Sequence, residues 1–156
     1  MEFLLASPET IVVTTPEPTS VTDSYALLKA LSMNEGYNKD ECTIKIVANR
    51  VESENEGRNL YEKLNAVVSK FLGIKLEYLG SVPQDSRVRK AVMKQKPVTI
   101  VYPASSAARH FKRIAADLLG NENDVPENKK GIRSYFKKCS QGKCRRKLKI
   151  IHKISL

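Results

Sequence analysis

Three short segments, each followed by a polar stretch and a helical pattern, constrain the fold of this chain more than any other feature. They occupy residues 10–15, 42–48 and 75–82; the first is entirely β-branched and the third alternates more between apolar and polar residues. Apolar runs of this length are typical of strands buried on both faces, as in parallel sheets. Strands that alternate with helices predict right-handed crossovers. The sequence therefore predicts an α/β fold, with a partial parallel sheet and flanking helices.

The helical patterns have recognisable ends. A capping box, Ser53-x-x-Glu56, starts the helix after the second strand, and Gly73 ends it. Residues 98–102 are predicted to be extended, and a last helix spans residues 105–119. The residues predicted to face inward are Val21, Tyr25, Leu28 and Leu31; Leu60, Leu64, Val67, Val68 and Phe71; Val88, Ala91 and Val92; and Ala108, Phe111, Ile114, Ala115 and Leu118.

The composition is that of one domain of ordinary size. The chain has 156 residues, of which 41% are hydrophobic, enough for a core. No stretch approaches the roughly 20 consecutive apolar residues of a membrane span, and the first residues lack the basic start of a secretory signal. Two of the three cysteines, with His152, supply only three ligands at loose spacing, whereas structural zinc needs four. We therefore expect a cytoplasmic protein with free thiols and no metal site.

The net charge of +10 is carried by the C-terminal end. Residues 127–156 contain eleven Lys or Arg and one Glu, whereas residues 1–126 contain sixteen basic and sixteen acidic residues. Such a segment is typical of one that binds an anionic surface, either acidic lipid or nucleic acid, and a solvated terminus is the alternative. The expected organisation is a domain over residues 1–120, a linker over residues 121–130 and a basic amphipathic tail over residues 131–156.

Polar residues stand at the carboxyl ends of two predicted strands. Asn49 and Arg50 follow the second strand, and Pro83, Gln84 and Asp85 follow the third. Ligands of open α/β sheets bind at this edge, and an Asn amide offers one donor group and one acceptor to a base. No G-x-x-x-x-G-K-[ST] loop occurs in the chain. These loops predict the base-binding part of a nucleotide site; Asn49 as a turn cap and Asp85 as a helix N-cap are the alternatives.

Four ordered segments, residues 12–31, 44–53, 79–92 and 96–119, together are similar to the MinD/ParA class of P-loop ATPases. Within that class the chain resembles the flagellar site- and number-determining MinD-like proteins of the FlhG, YlxH and FleN type. The family's Walker A loop, its switch aspartate and the segment after its Walker B strand precede the region matched here. The resemblance implies the C-terminal portion of a deviant-Walker ATPase domain, with a free strand edge at residues 11–15.

The resemblance also implies roles for the strand-end residues. Asn49 and Arg50 would line the adenine pocket from one side, and Pro83, Gln84 and Asp85 from the other. A second set would lie near the nucleotide or face the partner subunit of a dimer: Thr15, Pro16, Glu17 and Asp23.

For cofactors and partners, the resemblance implies a homodimer that forms around ATP or ADP with Mg²⁺. It further implies action with the flagellar signal-recognition-type GTPase and with switch-complex proteins. Phosphoryl transfer needs a phosphate-binding loop, the lysine of that loop and a Mg²⁺ ligand, and the chain contains none of the three in recognisable form. His110 is expected on a solvated face. We therefore expect no catalysis, and weak or absent ATP binding, by the chain alone. The alternatives are a non-enzymatic module that presents the basic tail, and a chromosome-partitioning ParA-like protein associated with nucleic acid.

The tail resembles the membrane-targeting helix with which family members often end. Its aromatic residues offer interfacial area, and its lysines are attracted to anionic lipid. The implied location is peripheral, at the inner face of the cell membrane. Leu148, Ile151 and Ile154 also recur at helical spacing. The candidate membrane-binding residues are Ile132, Tyr135, Phe136, Lys137 and Lys138.

Overall fold

The computed structural model describes residues 9–38 and 42–119, and the backbone of residues 148–152. The candidate membrane-binding residues of the tail lie outside these ranges, so the tail helix stays a prediction. The strands are β1 Glu9–Thr14, β2 Thr43–Val51, β3 Leu76–Pro83 and β4 Leu148–His152, and the helices are α1 Pro18–Ser32, α2 Glu54–Leu72, α3 Ser86–Met93, α4 Val98–Val101 and α5 Ser106–Leu119.

The predicted parallel sheet is confirmed. Its strands lie in the order β3-β2-β1-β4, and every neighbouring pair is parallel. Strand β4 pairs with the outer edge of β1, from Glu9 opposite Leu148 to Val13 opposite His152. Two expectations are therefore wrong: residues 148–152 form a strand rather than a helical face, and the edge of β1 is paired. The helical spacing of Leu148, Ile151 and Ile154 gave the wrong prediction because pairing with β1, which is distant in sequence, overrides the local periodicity.

The side chains of β1, β2 and β3 alternate between two apolar cores, one on each face of the sheet. The first core joins the sheet to α1 and α2 and contains Val12, Ile44, Ile46 and Leu76 of the strands with Leu28, Leu31, Leu64 and Val68 of the helices. The second joins the sheet to α5 and contains Ile11, Val47 and Val82 with Ala107 and Ile114. Helices thus cover both faces, and the polar ends of the strands are left as a rim.

Several residues predicted to face inward are exposed instead. Val67 and Phe71 of α2 are 43% and 65% exposed, and Val92 of α3 is 67% exposed. Phe111 and Ala115 of α5 are also exposed. In α2 the fully buried stripe is narrow, and its residues follow one another at intervals of three or four positions. That stripe consists of Gly57, Leu60, Leu64 and Val68.

Residues 98–101 form one helical turn, so the prediction of an extended segment is wrong. Val101 and Ile100 donate backbone hydrogen bonds to the Pro97 carbonyl at 3.1 and 3.0 Å. The β-branched residues of Val98–Val101 favour a strand by composition. The segment pairs with none of the described strands, and the local hydrogen bonds to Pro97 form a helical turn instead. The short helix α4 is therefore set by Pro97, whose fixed φ suits the start of a helix.

Helix α2 starts and ends as predicted. The Ser53 hydroxyl accepts a hydrogen bond from the backbone N–H of Glu56 at 3.2 Å, and Gly73 ends the helix with a φ of 63°. The first turn lies close to the sheet, since a Cβ added to Gly57 would be 2.9 Å from the Cβ of Ser81. Glycine at this position allows the helix to pack directly on β3, which fixes the start of α2 beside the rim.

Candidate functional site

The carboxyl ends of β1, β2 and β3 meet at one edge of the sheet because the strands are parallel and adjacent. The loop after β1 carries Thr15, Pro16 and Glu17, the end of β2 carries Asn49 and Arg50, and Pro83 closes β3 before Gln84. We call these residues the strand-end site. The structure thus brings together most of the residues that the sequence predicted as one nucleotide-binding rim.

Arg50 lies in a bulge of β2. Its backbone has a φ of 59°, in the left-handed region that residues other than glycine rarely occupy. The register with β3 shifts between Asn49 and Val51, so Val51 returns to the core beside α2 and is only 1% exposed. The bulge therefore keeps the strand in the core while it turns Arg50 out at the rim. Strained backbone of this kind is concentrated at functional sites.

The Arg50 side chain connects all three loops. Its Nη1 lies 3.2 Å from Oε1 of Glu17, after β1, and its Nε donates to Oε1 of Gln84, after β3, at 3.2 Å. The Gln84 backbone N–H also donates to the Val51 carbonyl at 2.9 Å, which extends the pairing of β2 and β3 past Pro83. The guanidinium is thus held by two partners at the centre of the rim. A guanidinium held in this way can stack on a flat ring or pair with an anion.

Two polar side chains at the rim have no hydrogen-bond partner within the described part of the chain. Asn49 sits opposite Val82 in the ladder, half-buried, and its side-chain amide caps no turn there. The Thr15 hydroxyl oxygen is buried and unpaired, although the Thr15 backbone N–H donates to the hydroxyl of Ser20 at 3.0 Å. Ser20 lies in the first turn of α1, so this hydrogen bond holds the end of β1 against the helix.

Asp85 fixes the loop after β3. Its two carboxylate oxygens accept hydrogen bonds from the backbone N–H groups of Arg87, at 2.9 Å, and of Ala107, at 3.3 Å. The first bond is the N-cap of α3, and the second reaches the first turn of α5. These backbone hydrogen bonds, that of Arg87 foremost, lower the pKa of Asp85. The carboxylate therefore positions Pro83 and Gln84 by joining the loop to two helices.

The other site residues predicted from the sequence lie between the end of β1 and the second turn of α1. Pro16 continues the loop between Thr15 and Glu17, and Glu17 directly precedes α1. Asp23 lies one turn further into α1, half-buried, beyond the loop itself. Its position facing a dimer partner stays a prediction.

Two contacts of α5 were missed by the sequence analysis. Nδ1 of His110 donates to the Ser81 carbonyl oxygen at 2.7 Å, so His110 is half-buried against β3 and its predicted solvated position is wrong. Arg113 donates to the Glu54 carboxylate, and this hydrogen bond lowers the pKa of Glu54. Both contacts tie α5 to the end of the sheet that carries the rim. No local signal marks them, since their partners lie 29 and 59 residues away.

The rim differs in its chemistry from a metal site. Within residues 9–38, 42–119 and 148–152, no three His, Cys, Asp or Glu residues cluster as metal ligands. No helix in the described residues is long and apolar enough to cross a membrane. The rim carries the Asn49 amide and the Arg50 guanidinium, groups of a kind that can hydrogen-bond to or stack on a flat polar ring.

Comparison with known proteins shows what the chain is similar to. No family model matches it. It is 38% identical over 136 residues to the antiactivator FleN of Pseudomonas aeruginosa, a match that covers 87% of this chain and 46% of FleN. It is 33% identical over 141 residues to the flagellum site-determining protein YlxH of Helicobacter pylori, covering 87% of this chain and 45% of YlxH. The chain thus spans less than half the length of both relatives.

A solved structure shows the same fold. The septum site-determining protein MinD of Pyrococcus horikoshii, complexed with Mg-ADP, superposes with a TM-score of 0.53 at 18% identity. The match covers 78% of this chain and 45% of that protein. At this identity the likeness shows the fold alone, and it agrees with the relatives found by sequence.

Proposed function

Because the chain belongs to the MinD/ParA-type ATPase family, with FleN and YlxH among its relatives, we propose that its strand-end site binds the adenine base of ATP or ADP. The observation that carries this proposal is Arg50, held at the rim by Glu17 and Gln84. It joins three strand ends at the edge where open α/β sheets bind ligands.

The residues at the rim fit a base better than they fit phosphates. The half-buried Asn49 amide has a donor and an acceptor to offer, and the Pro83 carbonyl has no competing N–H group of its own. Arg50 would lie over the base or near the phosphates. By contrast, the chain contains no Walker A sequence to hold the phosphates. Mg²⁺ and the phosphates of ATP would therefore be held by a phosphate-binding loop that this sequence does not contain.

In the whole protein, we propose that nucleotide binding regulates flagellar placement or number. This proposal is supported by the names of two relatives, the antiactivator FleN and the flagellum site-determining protein YlxH. ATP would bring two copies together, with Glu17 and Asp23 near the dimer interface. The flagellar signal-recognition-type GTPase and switch-complex proteins are the proposed partners, and the tail would hold the cytoplasmic protein at the inner face of the membrane.

The test of the adenine site is Asn49→Ala in a protein that joins this chain to a phosphate-binding loop. Loss of the amide should weaken ATP and ADP binding by roughly 1–3 kcal/mol, the cost of an unpaired buried polar group. Asn59→Ala, an exposed asparagine of α2, is the matched control and should leave affinity unchanged. An Asn49 variant with full affinity and unchanged stability would remove Asn49 from the site.

The chain alone should show no Mg²⁺-dependent ATP hydrolysis. Phosphoryl transfer needs a phosphate cradle with its lysine and a metal ligand, and no such motif occurs in the sequence. Turnover above background in the purified chain would mean that the active site lies elsewhere.

A further inference from the structure

A second surface, separate from the strand-end site, combines exposed apolar side chains with an unbroken run of positive charge. Residues 86–102 contain five Lys or Arg residues and no Asp or Glu. Within the same segment Val92, Met93 and Ile100 are 67%, 81% and 68% exposed. Exposed apolar side chains of this size are informative when they are grouped rather than scattered.

Helical spacing places these side chains among the charges. Met93 lies four residues after Arg89 and three after Lys90, so the three share the outer side of α3. Val92 lies three residues after Arg89 and adjoins the same side. The buried Ala91 faces the opposite way, 1% exposed. Apolar and basic groups therefore alternate around the outward part of α3.

Helix α4 follows α3 after a short turn and carries a third exposed apolar side chain, that of Ile100. The turn between the two helices is tight, because the Lys96 backbone N–H donates to the Ala91 carbonyl at 3.2 Å. The Lys94 ammonium lies 5.3 Å from the centre of the Tyr102 ring, which joins the end of α4 to the end of α3. We call the exposed basic and apolar side chains of these two adjacent helices and of the turn between them the basic apolar surface. It consists of Arg89, Lys90, Val92, Met93, Lys94 and Ile100.

We propose that the basic apolar surface binds an anionic phospholipid membrane at its interface. Basic side chains are attracted to acidic headgroups, while neighbouring apolar side chains gain by entering the boundary with the acyl chains. Membrane binding thus uses both the basic and the apolar side chains of the surface. A nucleic acid would use the charges through its phosphates and leave the protruding apolar side chains in water.

The degree of exposure also favours a lipid surface over a protein partner. At two-thirds exposure or more, Val92, Met93 and Ile100 protrude, whereas side chains that line a groove for a peptide are partly shielded by its walls. A lipid interface needs no matching groove. This membrane contact does not depend on the adenine site, and it adds a second weak lipid contact to the one proposed for the tail.

The first measurement is binding to vesicles of phosphatidylglycerol and phosphatidylcholine, with pure phosphatidylcholine vesicles as the uncharged comparison. Val92→Ser, Met93→Ser and Ile100→Ser are combined in a background that carries Tyr135→Ser and Phe136→Ser, so that the tail aromatics do not mask the result. We expect binding to the anionic vesicles to fall about tenfold or more, since apolar insertion is lost. The matched control is Val67→Ser with Phe71→Ser, two exposed apolar residues of α2, and it should bind as before.

The second measurement reports the surface directly. Met93→Cys, in a full chain whose native cysteines are replaced by Ser, carries an environment-sensitive fluorophore. Its emission should shift to the blue with anionic vesicles, and the same fluorophore at Phe71→Cys should not shift. Circular dichroism checks that each variant folds. An unshifted probe, unchanged vesicle binding by the triple variant, or an equal shift with duplex DNA in place of vesicles would each overturn the proposal.

Discussion

The left-handed backbone of Arg50 predicts an unusual ranking of two substitutions. Its φ of 59° costs an L-residue about 1–2 kcal/mol, and alanine at this position would keep that cost. Glycine would remove it, offset by about 0.4–1 kcal/mol for the greater freedom of glycine in the unfolded chain. The Arg50→Gly variant should therefore be more stable than Arg50→Ala by about 1 kcal/mol.

Loss of the Arg50 contacts adds little to either variant. The ion pair with Glu17 joins side chains that are 55% and 50% exposed, and such pairs contribute about 0–1 kcal/mol. Both variants lose this pair and the hydrogen bond to Gln84 equally, so the difference between them isolates the backbone cost.

Urea unfolding followed by circular dichroism measures that difference. With a denaturant dependence of about 1–3 kcal/mol per molar, 1 kcal/mol moves the midpoint by about 0.3–1 M. Equal midpoints, or a more stable alanine variant, would refute the assignment of strain at Arg50. In a protein with a phosphate-binding loop, both variants should also bind adenine nucleotides more weakly, so the glycine variant would gain stability over alanine without recovering affinity.

Three further predictions concern the structure around the rim. Gly57→Ala should destabilise the fold by roughly 1–2 kcal/mol, because overpacking against Ser81 outweighs the gain in helix propensity, whereas Asn59→Ala, at an exposed position of the same helix, should keep or slightly raise stability in the same unfolding assay. Asp85→Ala should cost about 1–2 kcal/mol through the lost N-cap. Because the folded pKa of Asp85 is lowered, the wild-type advantage should be complete above the ordinary carboxyl pKa and disappear as pH falls through the lowered value; an advantage independent of pH would contradict this role. Deletion of residues 148–156 removes β4 and should make the chain associate in light scattering, since the edge of β1 is freed, whereas deletion of residues 153–156 alone should not.

Strands β1, β2 and β3 and the rim could be predicted because their signals are local. Residues 10–15 are β-branched throughout, so β1 follows from composition, and the capping box at Ser53 marks the start of α2. Parallel order then places Asn49 and Gln84 at one edge without knowledge of any contact. These inferences need only the periodicity of the apolar residues, the residues that cap the helices and the order of the elements along the chain.

What could not be predicted depends on contacts between distant segments. The strand at residues 148–152 is defined by pairing with β1, and His110 is placed by a carbonyl of β3. The bulge at Arg50 follows from fitting Val51 into the core, which no local pattern of residues indicates. Phe71 was expected inside because it recurs at helical spacing with Leu64 and Val68, although no described element covers that flank of α2.

The central claim, that the strand-end site recognises adenine, is tested most directly by nuclear magnetic resonance with adenosine. Adenosine carries the base without phosphates, so the basic tail contributes no electrostatic attraction. Saturable shifts of the backbone amides of Asn49, Arg50, Gln84 and Asp85 are the predicted result, even if binding is weak. Shifts confined to other parts of the chain, or no shifts at saturating adenosine, would contradict the claim.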